Sequence, residues 1–169
     1  MSLTVYTIYG PVFKLWRARR FRLFCETFGL SPETATAAGV RILDVGGWPG
    51  DWTGRPRVAA HIDTLNLTAP NFDPAKHPGR SIGVLVGDGC AMDFADGAYD
   101  IAYSNSVIEH LGTWERQRQF AAELQRVGRG VWCQTPAFGC PIEPHYMAFF
   151  IHWLPKRVQR RLLRHFTPM

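Results

Sequence analysis

Short apolar runs alternate with polar, turn-rich segments along the middle of the chain, and this pattern predicts a parallel sheet. Five such runs predict strands over residues 41–45, 58–67, 81–86, 99–104 and 130–134. Between the last two runs, residues 113–126 place Trp114, Phe120 and Leu124 on one face, which predicts an amphipathic helix. The alternation indicates an α/β fold with an open, doubly wound, mostly parallel sheet of about five strands.

Helices are predicted toward both ends of the chain. Residues 11–28 combine apolar positions with arginines between them, which predicts an amphipathic helix that ends at Gly29. A short helix or helical turn is expected over residues 31–39. The last helix is expected over about residues 147–166, kinked or split at Pro155.

Length and composition indicate one domain. The chain has 169 residues, 46% of them apolar, which suits one hydrophobic core and is too short for two comfortable ones. We expect a helical cap over residues 1–39, a core over 40–136, and a C-terminal loop and helix over 137–169. No apolar run reaches the roughly 18 residues of a spanning helix, and the first residues lack the order of a secretory signal. We therefore expect a cytoplasmic protein.

Positive charge is concentrated at the two ends of the chain. The net charge is +5. Residues 1–26 have five basic residues against one acidic residue, and residues 156–169 have five basic residues unopposed, which leaves −4 for residues 27–155. An acidic middle argues against a specific nucleic-acid-binding domain. We expect the basic ends to be solvated helix faces, with contact to an anionic membrane as the alternative.

Cysteine and histidine spacing excludes several kinds of site. The four cysteines are irregularly spaced and include no C-x-x-C pair, so we expect reduced thiols rather than zinc ligands or disulfides. The six histidines form no pair with metal-ligand spacing. No G-x-S-x-G motif is present, which excludes that type of hydrolase. We therefore predict no metal site.

The first predicted strand runs into a glycine-rich turn with the sequence DVGGWPG, residues 44–50. In doubly wound folds, a turn at this place faces a cofactor at the carboxyl ends of the strands. The turn lacks G-x-G-x-x-G, and Trp48-Pro49 followed by Asp51 puts bulk and negative charge where the phosphates of a dinucleotide would lie. A cofactor without phosphates fits better. S-adenosylmethionine is such a molecule, and a carboxylate can meet its ammonium group.

Three segments carry a resemblance to a known family. ILDVGGWPG resembles the first motif of class I S-adenosylmethionine-dependent methyltransferases, and VGDGCAMDFADGAYD resembles their third-strand segment. YSNSVIEHL is similar to the fourth-strand motif of the small-molecule methyltransferases. The matches span about residues 40–136 in the expected order. The resemblance implies a Rossmann-like fold, S-adenosylmethionine as cofactor, and methyl transfer to a small or a glycan- or lipid-linked acceptor.

The resemblance also implies which residues hold the methionine end of the cofactor. That group would be surrounded by the strand-end acid and the glycines of the turn, namely Asp44, Gly46, Gly47 and Gly50. The methyl-transfer face would be lined by two polar residues at the end of the fourth strand, Ser104 and Asn105.

The nucleoside end of the cofactor is assigned in the same way. A polar residue at the end of the second strand would hold the ribose hydroxyls, and Asn66 is preferred over Asp63 for its position. Asp88 would accept a hydrogen bond from the adenine amino group, with Gly89 packed nearby. Trp48 departs from the family pattern because a glycine usually stands there, and Asn66 lacks the charge of the usual acid.

Methyl transfer from a sulfonium is an in-line displacement, so the protein must mainly align the reactants and exclude water. A general base helps when the acceptor is a hydroxyl, and the candidates are His145, Glu109 and His110. His145 is preferred because its loop follows the fifth strand, where substrates enter. Each of the three has an alternative role in capping a helix or fixing a loop.

The predicted elements stop short of the usual family sheet. Class I enzymes usually add a sixth and a seventh strand, whereas a single helix is predicted after residue 136. The resemblance therefore implies either a C-terminally truncated member or a fifth strand that is covered by a partner or a second copy. A non-catalytic cofactor-binding protein is the alternative function. An RNA methyltransferase is less favoured because SNSVIEHL lacks both the lysine of ribose methylators and the N-P-P-Y type element of base methylators.

Overall fold

A computed structural model describes residues 2–33, 38–137, 139, 142–143 and 148–163. The chain divides into two compact units, of which one comprises Met1–Trp16 with Pro136–Met169, and the other comprises Arg17–Thr135. The second unit contains a five-stranded parallel sheet. No helix in the described ranges combines the length and apolar character needed to cross a bilayer.

The sheet has the strand order β3-β2-β1-β4-β5, and every pair in it is parallel. The strand bounds are β1 Arg41–Val45, β2 His61–Asn66, β3 Ile82–Val86, β4 Tyr99–Asn105 and β5 Gly128–Gln134. The strand order reverses between β1 and β4, as in a doubly wound fold, which confirms the predicted fold class. All five carboxyl ends consequently lie along one edge of the sheet.

Strand ends differ by a few residues from the prediction. The bounds of β1 agree with the predicted ones, whereas β2 begins three residues later, at His61. The two residues that open the predicted run, Val58 and Ala59, are buried without belonging to the strand. Apolar side chains that enter the core from a loop give the same sequence pattern as the first residues of a buried strand. The sequence therefore does not distinguish a buried loop from the start of a strand.

Two helices cover opposite faces of the sheet within the Arg17–Thr135 unit. Helix α1 spans Ser2–Phe28, and its C-terminal half buries Phe24 edge-on against Tyr103, with ring centroids 5.1 Å apart. Helix α2 spans Trp114–Val127 and buries Phe120 on the other face. Side chains alternate along β1, so Ile42 packs in the α1 cluster whereas Leu43 and Val45 pack in the α2 cluster. Asp44 therefore lies on the α1 face.

The segment after Pro136 corrects the expected last helix. Ile142–Glu143 (β6) and Ala148–Phe149 (β7) form a short antiparallel pair, a single 3-10 turn follows at Ile151–Trp153, and helix α3 spans only Lys156–Leu163. The prediction of a helix over about residues 147–166 was therefore wrong in its first part. Phe150 adopts a left-handed conformation that breaks the path of the chain, and Pro155 forces the residue before it to be extended.

Two other expectations fall partly on residues outside the described ones. Residues 34–37 of the short helix expected over 31–39 are outside them, as are residues 164–166 of the last helix. Helix α1 begins at Ser2, nine residues earlier than the prediction, and continues through Pro11. A proline signals a helix boundary from sequence, and here that signal is overridden.

Candidate functional site

The turn after β1 is built so that only glycine fits at its two central positions. Gly46 has φ +81°, and a Cβ there would lie 2.5 Å from Cγ2 of Val107. A Cβ at Gly47 would overlap the carboxylate of Asp44. The Gly46 N–H donates to the Leu65 carbonyl at 2.8 Å, which ties the turn to β2. The turn is therefore fixed, with Asp44 directly beneath its second glycine.

A cavity lies on each face of β1 at this turn. On the α1 face, a cavity of about 150 Å³ is lined mostly by polar and charged groups, and we call it the polar cavity. Its lining includes Asp44, Gly46, Gly47, Asp51, Arg55, Tyr103 and Asn105. On the α2 face, a cavity of about 370 Å³ has mostly apolar walls, and we call it the apolar cavity. Its lining includes Val45, Gly46, Leu65, Asn66, Asp88, Val107 and Phe120.

The floor of the polar cavity is a buried carboxylate. Asp44 is 4% exposed, and the indole N–H of Trp52 donates to its Oδ2 at 2.7 Å. Burial raises the pKa of Asp44 to about 7, and the Trp52 hydrogen bond opposes that rise. A carboxyl with such a pKa changes charge near neutral pH. A cation entering the cavity would favour its ionised form.

Aromatic rings and an arginine form the walls around this carboxylate. Trp52 and Tyr103 are both buried and meet edge-on with ring centroids 5.3 Å apart. The Arg55 guanidinium lies over the Trp52 ring at 5.2 Å and over the Phe21 ring at 4.8 Å. Burial raises the pKa of Tyr103, and the neighbouring Arg55 opposes this.

Sequence reasoning missed these wall residues, although one signal was present. Tyr103 pairs directly with Asp44 across β1 and β4, so correct register places both side chains on the same face. Trp52 ends a 3-10 turn, Pro49–Trp52, and Arg55 follows that turn. No apolar periodicity in the sequence predicts the turn. The Trp52 side chain reaches Asp44, and the Arg55 side chain reaches the Trp52 ring. The spacing of these residues in the sequence reveals neither contact.

The apolar cavity carries two polar groups at strand ends. Asn66 lies at the end of β2, and its amide donates to the Gly47 carbonyl at 3.1 Å. Asp88 follows β3, accepts from the Cys90 N–H at 2.9 Å, and receives Arg116 Nη2 at 2.8 and 3.0 Å. The Cys90 N–H and the Arg116 guanidinium hold the pKa of Asp88 below its usual range. Asp88 therefore stays ionised beside an apolar wall.

The structure brings most of the predicted cofactor residues to the two cavities. Asp44, Gly46, Gly47 and Asn105 line the polar cavity. The apolar cavity is lined by Gly46, Asn66, Asp88 and Gly89. A Cβ at Gly89 would lie 2.7 Å from the Phe120 ring, so the close approach of α2 requires a glycine there.

Three of the predicted cofactor residues line neither cavity. Asp63 lies in the middle of β2, where it accepts from the Tyr99 hydroxyl at 2.8 Å and contacts His61 Nε2 at 2.9 Å. Ser104 is fully buried and donates to the Val45 carbonyl at 3.0 Å. Gly50 lies against the indole of Trp48, since a Cβ there would overlap that ring. The side chains of Asp63 and Ser104 are therefore used inside the fold, and Asn66 alone lies at the end of β2.

Trp48, which departs from the family pattern, lies at the rim. Its side chain is 47% exposed and packs edge-on against Phe72, with ring centroids 6.2 Å apart. It also lines the polar cavity. The Trp48 indole lies outward, over the loop after β2, so Asp44 still forms the floor of the polar cavity.

The three candidate bases are placed differently. His145 lies outside the described residues. Glu109 and His110 belong to a 3-10 turn, Ile108–His110, and His110 is exposed. The Thr135 hydroxyl donates to Glu109 Oε2 at 2.9 Å, whereas Oε1 is buried and has no hydrogen-bond partner in the described part of the chain. Neither Glu109 nor His110 lines either cavity.

Metal-ligating side chains are not grouped in the described ranges. No cluster of three or more His, Cys, Asp or Glu side chains there is arranged to hold a metal ion. Cys25, Cys90 and Cys133 have free thiols.

Comparison with known proteins finds a family that matches part of this chain. The family described as "Methyltransferase domain" matches residues 43–130, about half of the chain. An "Uncharacterized methyltransferase" from Mycobacterium marinum is 34% identical over 104 residues, which cover 59% of this chain and 39% of that protein. The chain thus spans well under two thirds of the length of this curated relative.

Two solved structures are similar to part of this chain. Phosphoethanolamine N-methyltransferase 1 from Haemonchus contortus, solved with phosphoethanolamine and S-adenosylhomocysteine, superposes with a TM-score of 0.50 at 14% identity, covering 66% of this chain and 24% of that one. A SAM-dependent methyltransferase from Aquifex aeolicus gives a TM-score of 0.43 at 18% identity, covering 59% of this chain and 58% of that one.

Proposed function

This chain belongs to the methyltransferase domain family, and on that premise we propose that it transfers a methyl group from S-adenosylmethionine to a small-molecule acceptor or a glycan- or lipid-linked one. One observation carries the proposal. A buried carboxylate, Asp44, forms the floor of a polar cavity that meets a larger apolar cavity across Gly46. That pairing suits a ligand with a cationic amino-acid end and a nucleoside end.

The described residues fit this cofactor. Asp44 provides a negative charge for the ammonium group, and Asn66 and Asp88 supply polar atoms for a ribose and an adenine beside apolar walls. Asp44 and Asp51 give the polar cavity two carboxylates, which disfavour the phosphates of a dinucleotide. When bound, S-adenosylmethionine supplies an electrophilic methyl carbon on a sulfonium.

The protein's own contribution is alignment. Trp52 fixes the orientation of the Asp44 carboxylate through its N–H, and Tyr103 packs edge-on against Trp52 in the wall of the same cavity. Asn66 ties its own strand end to the turn through the Gly47 carbonyl, so the two cavities keep a fixed relation. Such fixed positions reduce the entropy that an in-line displacement must otherwise lose.

A general base is proposed among Glu109, His110 and His145. The buried Glu109 Oε1, which lacks a partner in the described residues, supports Glu109 as a proton acceptor at the edge of the sheet. His145 stays a prediction from sequence. For a hydroxyl acceptor, Glu109→Gln or His145→Ala should leave S-adenosylhomocysteine affinity within about threefold and lower turnover by about two orders of magnitude if that residue is the base.

A lipid-linked acceptor is supported by α3. This helix carries Lys156, Arg157, Arg160 and Arg161 and no acidic residue. Apolar side chains in and before it remain substantially exposed, namely Trp153 at 46%, Leu154 at 37%, Val158 at 42% and Leu162 at 40%. Basic and apolar side chains on one short helix favour an anionic membrane surface.

Vesicle binding tests this part of the proposal. Co-sedimentation should show binding to anionic but not to neutral vesicles, lost at high salt and lost in the double variant Val158→Ser, Leu162→Ser. Binding to neither type of vesicle would leave a soluble acceptor.

A partner strand or second copy along the outer edge of β5 stays a prediction, since no strand of the described residues pairs there.

Titration calorimetry tests the function as a whole. We expect S-adenosylmethionine and S-adenosylhomocysteine to bind and NAD not to bind. Gly46→Val should abolish binding because its φ is left-handed and Val107 occupies the space. Tighter binding of NAD than of S-adenosylhomocysteine would refute the proposal. Cofactor binding without product formation across acceptor classes would favour the non-catalytic alternative, and salt-dependent RNA binding would favour an RNA acceptor.

A further inference from the structure

Three arginines gather beside the polar cavity. Arg55 lines the cavity, and Arg17 and Arg20 lie three residues apart on one face of α1. That face also carries Phe21 and Phe24, each four residues after one of the arginines, and these rings contact Trp52 and Tyr103. The aromatic contacts therefore bring the two α1 arginines to the wall that Arg55 occupies.

The positive charges of Arg17 and Arg55 disfavour the charged form of Arg20. Arg17 and Arg55 both lower the pKa of Arg20, after the larger effect of its burial. In the described part of the chain, none of the three arginines lies within 4 Å of a carboxylate. Clustered positive charge that lacks a close counter-ion in this part of the fold costs free energy, and an anionic ligand offsets that cost.

The charges of the cavity lining and of the cofactor indicate which of the two reactants, cofactor or acceptor, provides the anion. The charged lining of the polar cavity, Asp44, Asp51 and Arg55, carries one net negative charge when both carboxylates are ionised. S-adenosylmethionine, with two cationic groups and one carboxylate, carries one net positive charge and balances that lining. Arg17 and Arg20 then remain uncompensated. The surplus positive charge calls for an anion on the other reactant.

We propose that Arg20, together with Arg17 and Arg55, binds a phosphate or carboxylate group of the acceptor beside the polar cavity. This inference rests on the proposed function and narrows it to anionic acceptors. Arg55 is suited to the task because its guanidinium lies over the Phe21 and Trp52 rings, and its N–H groups other than the one that contacts the Tyr103 hydroxyl are left to donate. Arg20 supplies a second donor, and its guanidinium also donates to the side-chain oxygen of Gln134 at 2.7 Å.

The test uses the full-length protein saturated with S-adenosylhomocysteine and titrated with inorganic phosphate in one arm and acetate in the other. We expect one site for at least one of these anions, and the tighter of the two identifies the acceptor group. Arg20→Gln should weaken anion binding about tenfold or more, because it removes a charge-assisted hydrogen bond. Arg19→Gln is the matched control, since Arg19 is the adjacent residue of the same helix but lies on the side opposite the face that carries Arg20, and it should change the affinity less than twofold.

Each outcome separates the two hypotheses. Equal anion affinities in Arg20→Gln and Arg19→Gln would overturn the arginine site. Loss of S-adenosylhomocysteine affinity in Arg20→Gln with unchanged adenosine affinity would show that the arginine holds the carboxylate of the cofactor, which also overturns the acceptor assignment. If the wild type binds no S-adenosylhomocysteine, the proposed function fails, and anion titration of the unliganded protein still tests the arginines. Arg20→Lys, which keeps the charge, should retain most anion affinity, and thermal unfolding confirms that each variant is folded.

Discussion

The two cavities start from the same glycine and differ in nearly every physical property. The polar cavity holds two carboxylates and an arginine in about 150 Å³, whereas the apolar cavity has about 370 Å³ and mostly aliphatic and aromatic walls. The difference follows from the two-residue period of β1, which sends Asp44 to one face and Val45 to the other. One strand end can thus present a charge and bury an apolar surface without either interfering with the other.

Two ligands separate the cavities experimentally. Adenosine has only the nucleoside part, so under the proposed function it reports on the apolar cavity. S-adenosylhomocysteine has both parts. The ratio of the two affinities therefore reports on the polar cavity alone, and each variant below is judged by its effect on the affinities and on that ratio.

Among variants that separate the two cavities, the largest effect is expected for Gly47→Ala. The added methyl would overlap the Asp44 carboxylate and push it off the cavity floor. We expect S-adenosylhomocysteine affinity to fall about a hundredfold, as for loss of a buried charge-assisted contact, with adenosine affinity falling far less. Gly54→Ala is the control because a Cβ there meets nothing within 4 Å. Unchanged affinity for both ligands would mean that Asp44 does not define the polar cavity.

Asp44→Asn is expected to have the next largest effect and to reveal the titration of the carboxyl. The pKa of Asp44 is raised to about 7, so the group is largely neutral at pH 6 and charged at pH 8. Wild-type affinity for S-adenosylhomocysteine should therefore rise from pH 6 to pH 8, since only the charged form pairs with an ammonium. The variant should bind about tenfold more weakly at pH 8, without that rise. Adenosine affinity should change in neither protein.

The same carboxyl predicts an effect on the unliganded protein. Because the folded-state pKa is raised, the contribution of Asp44 to stability is full below its unfolded pKa and is lost as pH rises through about 7. The free energy of unfolding of the wild type should therefore decrease relative to that of Asp44→Asn between pH 5 and pH 8. Denaturant titrations of both proteins at the two pH values measure the difference. A constant difference would place the pKa outside this range.

Asp88→Asn should weaken both ligands together. Asp88 lines the apolar cavity, so adenosine and S-adenosylhomocysteine should each lose up to about tenfold in affinity while their ratio stays constant. Stability should change little, because the Arg116 and Asp88 side chains are 41% and 37% exposed. Asp96→Asn, which removes another ion-paired carboxylate far more exposed to solvent, is the control. A changed ratio would show that the two cavities do not act independently.

The sequence predicted the part of this arrangement that depends on local rules. An apolar run that stops at glycines defined β1 and its turn, and strand-end position selected Asn66 over Asp63. It did not predict the walls, because Trp52 and Arg55 reach the site from a 3-10 turn. Nor did it predict the hairpin β6–β7, since short strands formed by pairing have no period of their own.

The smallest expected effect, and the sharpest test of independence, is that of Asn66→Ala. Asn66 lines the apolar cavity, yet its amide donates to the carbonyl of Gly47, which lines the polar one. A neutral hydrogen bond from Asn66 to a ribose hydroxyl would contribute about 1 kcal/mol, so its loss should lower each affinity about fivefold. If Asn66 also positions the Gly47 turn, S-adenosylhomocysteine should lose a further factor of about two relative to adenosine, a small change that calorimetry at 25 °C resolves when both titrations use one protein batch. Asn66→Asp is the matched variant, because it keeps an acceptor for ribose hydroxyls and loses the donor to Gly47. Equal ratios in wild type, Asn66→Ala and Asn66→Asp would show that the turn holds its shape without this bond, and the two cavities would then share only the backbone at Gly46.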